Sequence, residues 1–193
     1  MQTLSEIINN NTYLNTCVSN KSKDCNSLSS IVKRDMSQSD CIKLGIGVEK
    51  VLTDIILKSN TDIVDIRPNN KKGEKERDHL FQNEKKKEIY YAENKSNLNL
   101  DTEKSKSTIE KCISIKKDLE QKYTGYKIFM FLLGLRYVDI SLCPKNIKNK
   151  YKDIEEHLVG INEYMHILDT HIHFENEMQY SQFINEIADK MFD

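Results

Sequence analysis

The stretch Arg77-Asp78-His79-Leu80-Phe81-Gln82-Asn83-Glu84-Lys85-Lys86-Lys87-Glu88-Ile89-Tyr90-Tyr91-Ala92-Glu93-Asn94-Lys95 decides the fold class. Arg77 to Phe81 reads as a strand, Gln82 to Lys86 as a tight polar turn, and Glu88 to Lys95 as a strand rich in residues that favour sheets. Upstream, Asp62 to Ile66 alternates and predicts a further strand, joined to Arg77 by a charged turn from Pro68 to Glu76. Before it, Ser39 or Asp40 can cap a helix beginning near Cys41, with Leu44, Val48, Leu52, Ile55 and Ile56 at helical spacing. Gly45 and Gly47 on that helix admit the close approach of another backbone. Downstream, Asp101 or Thr102 starts a helix to about Lys122, with Ile109, Cys112, Ile113 and Leu119 on one face. Tyr126 to Val138 is a near-continuous apolar run, which suits a strand buried on both faces. Pro144 to Lys152 reads as a basic loop, and acidic and amphipathic helices are expected from Ile154 onward. The order helix, three strands, helix, strand, helices predicts an α/β fold: a central mixed sheet flanked by helices.

The chain has 193 residues, 29 basic and 30 acidic side chains and a formal net charge of -1. That length fits one domain able to bury about 70% of its unfolded surface without disulfides. Residues 1–40, rich in Ser, Asn and Lys, are expected to form a helical or irregular N-terminal arm around Leu4, Ile7, Ile8 and Leu14; residues 41–193 form the main domain. With 6 Gly and 2 Pro the chain is no collagen, and near-neutral charge excludes a uniformly basic nucleic-acid coat. The five cysteines, at positions 17, 25, 41, 112 and 143, form no Cys-x-x-Cys pair and read as free thiols of a reducing cytoplasm. No stretch approaches the ~20 apolar residues of a membrane span, and Met1 to Glu6 lacks the plan of a signal peptide. His171 and His173 stand one residue apart with no Cys nearby, which argues against structural zinc. With His166 they read as surface or part-buried histidines around a helix end.

Strand alternation puts Ile89, Tyr91, Glu93 and Lys95 on one face, and Glu88, Tyr90, Ala92 and Asn94 on the other. A short hairpin can set Asp78 opposite Glu93. Two carboxylates and a lysine then converge at one sheet edge. His79, beside Asp78, points to the opposite face and reads as packing. Two carboxylates, a backbone carbonyl and phosphate oxygens make an all-oxygen site suited to Mg²⁺. Such an ion polarises a phosphate and lowers the pKa of a bound water. Lys95 can orient that water or help deprotonate it, and stabilise charge growing on phosphorus. Glu49, on the preceding helix, could supply a third carboxylate. The bland reading of the same residues is a surface ion pair at a strand end.

Arg77-Asp78-His79-Leu80-Phe81, Ile89-Tyr90-Tyr91-Ala92-Glu93-Asn94-Lys95 and the following Ser96 to Lys104 resemble the core of a small type II restriction endonuclease. These enzymes belong to the nuclease superfamily with a Pro-Asp…(Asp/Glu)-x-Lys motif. The resemblance extends upstream to Leu44–Lys50 and downstream to Tyr126–Asp139 and Pro144–Tyr151, covering roughly residues 40–165. It implies a restriction-endonuclease-like core in which Asp78 and Glu93 bind metal, Lys95 is the catalytic lysine and Glu49 is an accessory ligand. Arg77 stands where the superfamily pattern has Pro. The implied activity is Mg²⁺-dependent cleavage of double-stranded DNA at a short palindromic site by a homodimer. A cognate DNA methyltransferase would protect the host's own sites.

Candidate DNA contacts follow. Asn97 and Asn99 come directly after the Glu93–Lys95 strand, and Asn can read adenine in the major groove. Lys145, Asn146, Lys148, Asn149 and Lys150 lie in the most one-sided basic stretch of the chain, where lysines would hold phosphates. Asn69 to Arg77 could be a phosphate-contacting loop or a solvated turn. From Asp153 to Asp193 there are ten acids and one lysine, so that end should face away from DNA or pack on a second subunit. Two other classes stay open: a structure- or damage-specific nuclease of the same fold, and a non-enzymatic α/β binding protein in which Asp78, Glu93 and Lys95 form an ion-pair cluster.

Overall fold

A computed structural model describes residues 3–11, 14, 30–32, 34–68 and 77–192. Five strands form one mixed sheet in the order β1 (Ile63–Asp65), β2 (His79–Asn83), β3 (Glu88–Lys95), β4 (Lys127–Gly134), β5 (Leu158–Val159). The first three pair antiparallel, and β3–β4 and β4–β5 pair parallel. Helices cover both faces, so the fold is α/β with a mixed sheet between helical layers.

Alternation along the strands divides the core in two. Phe81, Tyr90, Ala92, Phe131 and Leu133 pack with α2 (Gln38–Ser59), α5 (Ile161–Ile167) and α6 (Glu177–Phe192). Leu80, Ile89, Tyr91, Met130 and Leu132 pack with α3 (Thr102–Lys122) and with the segment that follows Pro144. Because β3 and β4 are parallel, the chain needs a long crossover, and α3 supplies it. α1 (Leu4–Asn10) buries Ile7 and Ile8 in the first core, against α2 and α6.

Several boundaries differ from the sequence reading. α2 starts at Gln38, three residues early, because Ser37 caps it by accepting from the Asp40 amide at 3.0 Å. β2 runs from His79 to Asn83, and the turn falls at Glu84–Lys87, where Lys87 takes φ 53°. Ile113 is 37% exposed, whereas Ile115 is fully buried. The buried stripe of α3 is centred on Thr108, Cys112, Ile115 and Leu119, and Ile113 lies about a third of a turn off it.

The basic stretch is not a loop: α4 (Lys145–Lys148) leads into a 3-10 segment, Asn149–His157. Ile147, Tyr151 and Ile154 recur at helical spacing and are all buried. β5 was invisible to periodicity because it is two residues long. Gly47 touches α6, since a Cβ there would fall 2.5 Å from Met191 Sδ; nothing lies within 4 Å of a Cβ on Gly45. Residues 69–76 of the expected phosphate-contacting loop, with Cys17 and Cys25, lie outside the described residues. Cys41, Cys112 and Cys143 are buried. Among the described residues no helix is long and apolar enough to cross a membrane.

Gly160 sits between β5 and α5. A Cβ there would fall 2.8 Å from the Ile140 amide nitrogen and 2.8 Å from the Tyr137 carbonyl oxygen, both backbone atoms. Gly160→Ala is therefore expected to cost about 1–3 kcal/mol. Chemical denaturation reads it as a lower midpoint; an unchanged midpoint would show that the Tyr137–Ile140 turn gives way freely.

Candidate active site

The β2–β3 ladder pairs His79 with Ala92. Continuing it by one residue sets Asp78 across from Glu93, on the α3 face of the sheet. Asp78 Oδ2 accepts from the Asn94 amide at 2.6 Å, which ties its side chain to β3. Lys95, two residues beyond Glu93, shares that face and donates to Glu93 Oε1 at 2.8 Å. The start of β2 thus meets the end of β3, which has antiparallel β2 on one edge and parallel β4 on the other.

Two further groups close on Glu93. Lys111, from α3, places Nζ 2.6 Å from Oε2, and the Tyr91 hydroxyl donates to the same oxygen at 3.1 Å. The Glu93 side chain is 3% exposed, against 27% for Lys95 and 29% for Lys111. Burial raises the proton affinity of Glu93, but the two ammonium groups overcome it and hold the carboxyl below its ordinary range. Asp78 goes the other way. Burial first, then the Glu93 charge, push it up to about 6. Two carboxylates facing each other in a partly dry site repel, and the proton favours Asp78. Burial, with Glu93 second, also drives Tyr91 far above its usual value and Cys112 up to about 12, so both stay protonated.

Glu49 lies on the other side of the sheet from this cluster, on α2. Its carboxylate is 3.0 Å from Arg67 Nη1. Arg67 also grips both oxygens of Asp65 at 2.6–3.0 Å and donates to the Asp78 carbonyl at 2.6 Å. Glu49 is therefore linked to Asp78 through Arg67, which pairs with the Glu49 carboxylate and donates to the Asp78 carbonyl. His79 is fully buried on this same side, hydrogen-bonded to the Tyr164 hydroxyl at 3.1 Å and to the Glu49 carbonyl at 3.3 Å. Its ring stacks on Tyr164, and burial lowers its pKa to about 3, so it is a neutral packing histidine.

The candidate DNA contacts gather at the same end of the sheet. Lys150 donates to Asn99 Oδ1 at 2.8 Å and to the Leu100 carbonyl at 2.6 Å, and Tyr151 donates to the Leu98 carbonyl at 2.9 Å. The loop after β3 is thereby stapled to the basic segment. Asn97 turns the loop by accepting from the Asn99 amide at 2.8 Å. Lys145, Asn146 and Asn149 are exposed, and Lys148 is half-buried. His166, His171 and His173 are exposed.

Compared with protein-family models, curated proteins and solved structures, the chain matches none.

Among the described residues, no group of three or more His, Cys, Asp or Glu side chains comes together as a metal site. At this site Asp78 and Glu93 offer hard oxygen donors. This fits Mg²⁺, which is commonly held by one or two carboxylates with water and substrate phosphate completing the shell. The mutual repulsion that raises Asp78 is the property a cation would relieve. Reading the sequence missed Lys111, Tyr91 as a partner of Glu93, and Arg67. Lys111 flanks the buried stripe of α3, three residues after Thr108 and four before Ile115, and that spacing is the signal that could have found it. The spacing of Arg67 from its three partners carried no signal.

Proposed function

We propose that this chain is a Mg²⁺-dependent, sequence-specific DNA endonuclease of the restriction type. The observation that carries the reading is the convergence of Asp78, Glu93 and Lys95 on one face, beside a stapled loop and basic segment. Asp78 and Glu93 would hold the cation. When bound, it would supply positive charge to the scissile phosphate and ease deprotonation of a water beside it. Lys95, positioned by Glu93, puts its ammonium where negative charge grows on the phosphoryl oxygens and orients the attacking water. The Asn94 amide fixes the Asp78 carboxylate, and Tyr91 fixes the rotamer of Glu93.

Lys145, Lys148 and Lys150 would hold the phosphate backbone, Lys150 while stapling the loop through Asn99 and Leu100; Asn146 and Asn149 would read base edges, as would Asn97 and Asn99 through their side-chain NH2 groups. One site per chain cuts one strand, so a two-fold DNA site calls for a homodimer. A methyltransferase would guard the host's own sites. The protein is expected to work in the cytoplasm.

Digestion of plasmid and phage DNA tests this, with Mg²⁺, EDTA and Lys95→Ala side by side. Discrete bands in Mg²⁺, absent in EDTA and in the variant, are expected. A smear would favour a structure-specific or non-specific nuclease. Intact unmethylated DNA in every lane, from folded protein, would leave Asp78, Glu93, Lys95 and Lys111 as a structural ion-pair cluster.

A further inference from the structure

We propose that Lys111 is the counter-ion a divalent cation must displace from Glu93, so that this lysine sets the site's affinity for metal. The inference rests on the metal-dependent reading of Asp78 and Glu93. In the structure both oxygens of Glu93 are taken: Oε1 by Lys95 at 2.8 Å, and Oε2 by Lys111 at 2.6 Å and the Tyr91 hydroxyl at 3.1 Å. A cation held by Asp78 and Glu93 would need one of those oxygens.

Lys95 and Lys111 differ in how they are held. Lys95 leaves β3 two residues beyond Glu93 and on the same face, so the strand itself keeps the two together. Lys111 reaches across from α3, and its flexible stem can withdraw its ammonium toward solvent without moving the strand. Lys111 is therefore the ammonium that can give way to a cation while Lys95 stays on Glu93.

Charge gives the sign. Asp78 and Glu93 against Lys95 and Lys111 sum to zero with all four ionised. A divalent ion entering that set meets a neutral site with an ammonium in its way. Without the Lys111 charge it meets a net negative site. At a separation of a few ångströms, in a medium more polarisable than dry protein, that difference is worth at least about tenfold in affinity. Lys111 would thus keep the carboxylate pair intact in the absence of metal and weaken binding of the ion. Its role is positioning and gating, through Glu93.

Calorimetric titration with Ca²⁺ at pH 8 tests this on the whole protein, for the wild type, Lys111→Met, Lys111→Gln, Lys111→Arg and Asp78→Asn. We expect calcium to bind Lys111→Met at least about tenfold more tightly than the wild type. Lys111→Gln, which can still donate to Glu93 but carries no charge, should tighten binding in the same direction and serves if the Met variant does not fold. Lys111→Arg should stay near the wild type, and Asp78→Asn should lose binding. A wild type too weak to measure beside a neutral variant that binds would also support the proposal. Equal or weaker binding by both neutral variants would overturn it while leaving the two-carboxylate site standing. Undiminished binding by Asp78→Asn, or no binding by any protein, would remove the site and the inference with it.

Discussion

Asp78→Asn is expected to abolish the proposed cleavage and at the same time to make the metal-free protein more stable. A lost metal ligand forfeits several kcal/mol of transition-state stabilisation, and each 1.4 kcal/mol is a factor of ten, so cleavage should fall at least about a thousandfold. The gain in stability has a separate origin. Burial and the Glu93 charge raise Asp78 from 3.8 to about 6. The folded protein holds that proton more tightly than the unfolded chain does. The contribution of Asp78 to stability is therefore full below pH about 4 and is lost as pH rises through 6. At pH 8 the ionised side chain costs on the order of 3 kcal/mol. Asparagine mimics the protonated acid, and its side-chain oxygen can still accept from the Asn94 amide. In EDTA at pH 8 the variant should melt roughly 6–12 °C above the wild type, with the difference vanishing near pH 4. His79 slopes the other way, because its folded pKa of about 3 lies below the ordinary 6.5. Its contribution is full above pH 6.5 and is lost as pH falls toward 3, so comparing wild type with variant at each pH isolates Asp78. A variant that melts at or below the wild type at pH 8 would show that Asp78 carries no such strain.

Arg67→Met is expected to destabilise the protein by about 3 kcal/mol, because Arg67 serves three acceptors at once. It binds Asp65 with two nitrogens, Glu49 with a third and the Asp78 carbonyl through that same third nitrogen. The side chains of Arg67, Glu49 and Asp65 are 18%, 18% and 24% exposed, so truncation strands two carboxylates in a partly dry place. Asp65 is held below the ordinary carboxylate range by Arg67 despite its burial. Arg67→Lys should recover little, since one ammonium cannot span acceptors that a planar fork reaches from both sides. The expected readout is a melting temperature roughly 6–12 °C lower for the Met variant. Cleavage should weaken too, because Asp78 loses the donor on its carbonyl. A melting temperature within about 2 °C of the wild type would mean that solvent replaces the arginine without cost.

The sequence by itself determined what alternation and capping can carry. Glu88–Lys95 appears as one strand with the boundaries read from its residues, and its two faces divide as expected: Tyr91 and Glu93 to one side, Tyr90 and Ala92 to the other. The α3 span and the position of Asp78 across from Glu93 follow from the same local rules, since a hairpin fixes its own register. Tertiary structure decided what depends on distant segments meeting. Lys111 reaches Glu93 only because the parallel crossover lays α3 over β3, and Arg67 reaches Glu49 and the Asp78 carbonyl only because β1 docks beside β2 and α2. Ile147, Tyr151 and Ile154 turn a stretch that reads as a basic loop into a helical segment with one buried face. Neighbouring residues fix backbone geometry and side-chain direction, whereas charge pairing between elements depends on where the sheet brings them, which no local spacing records.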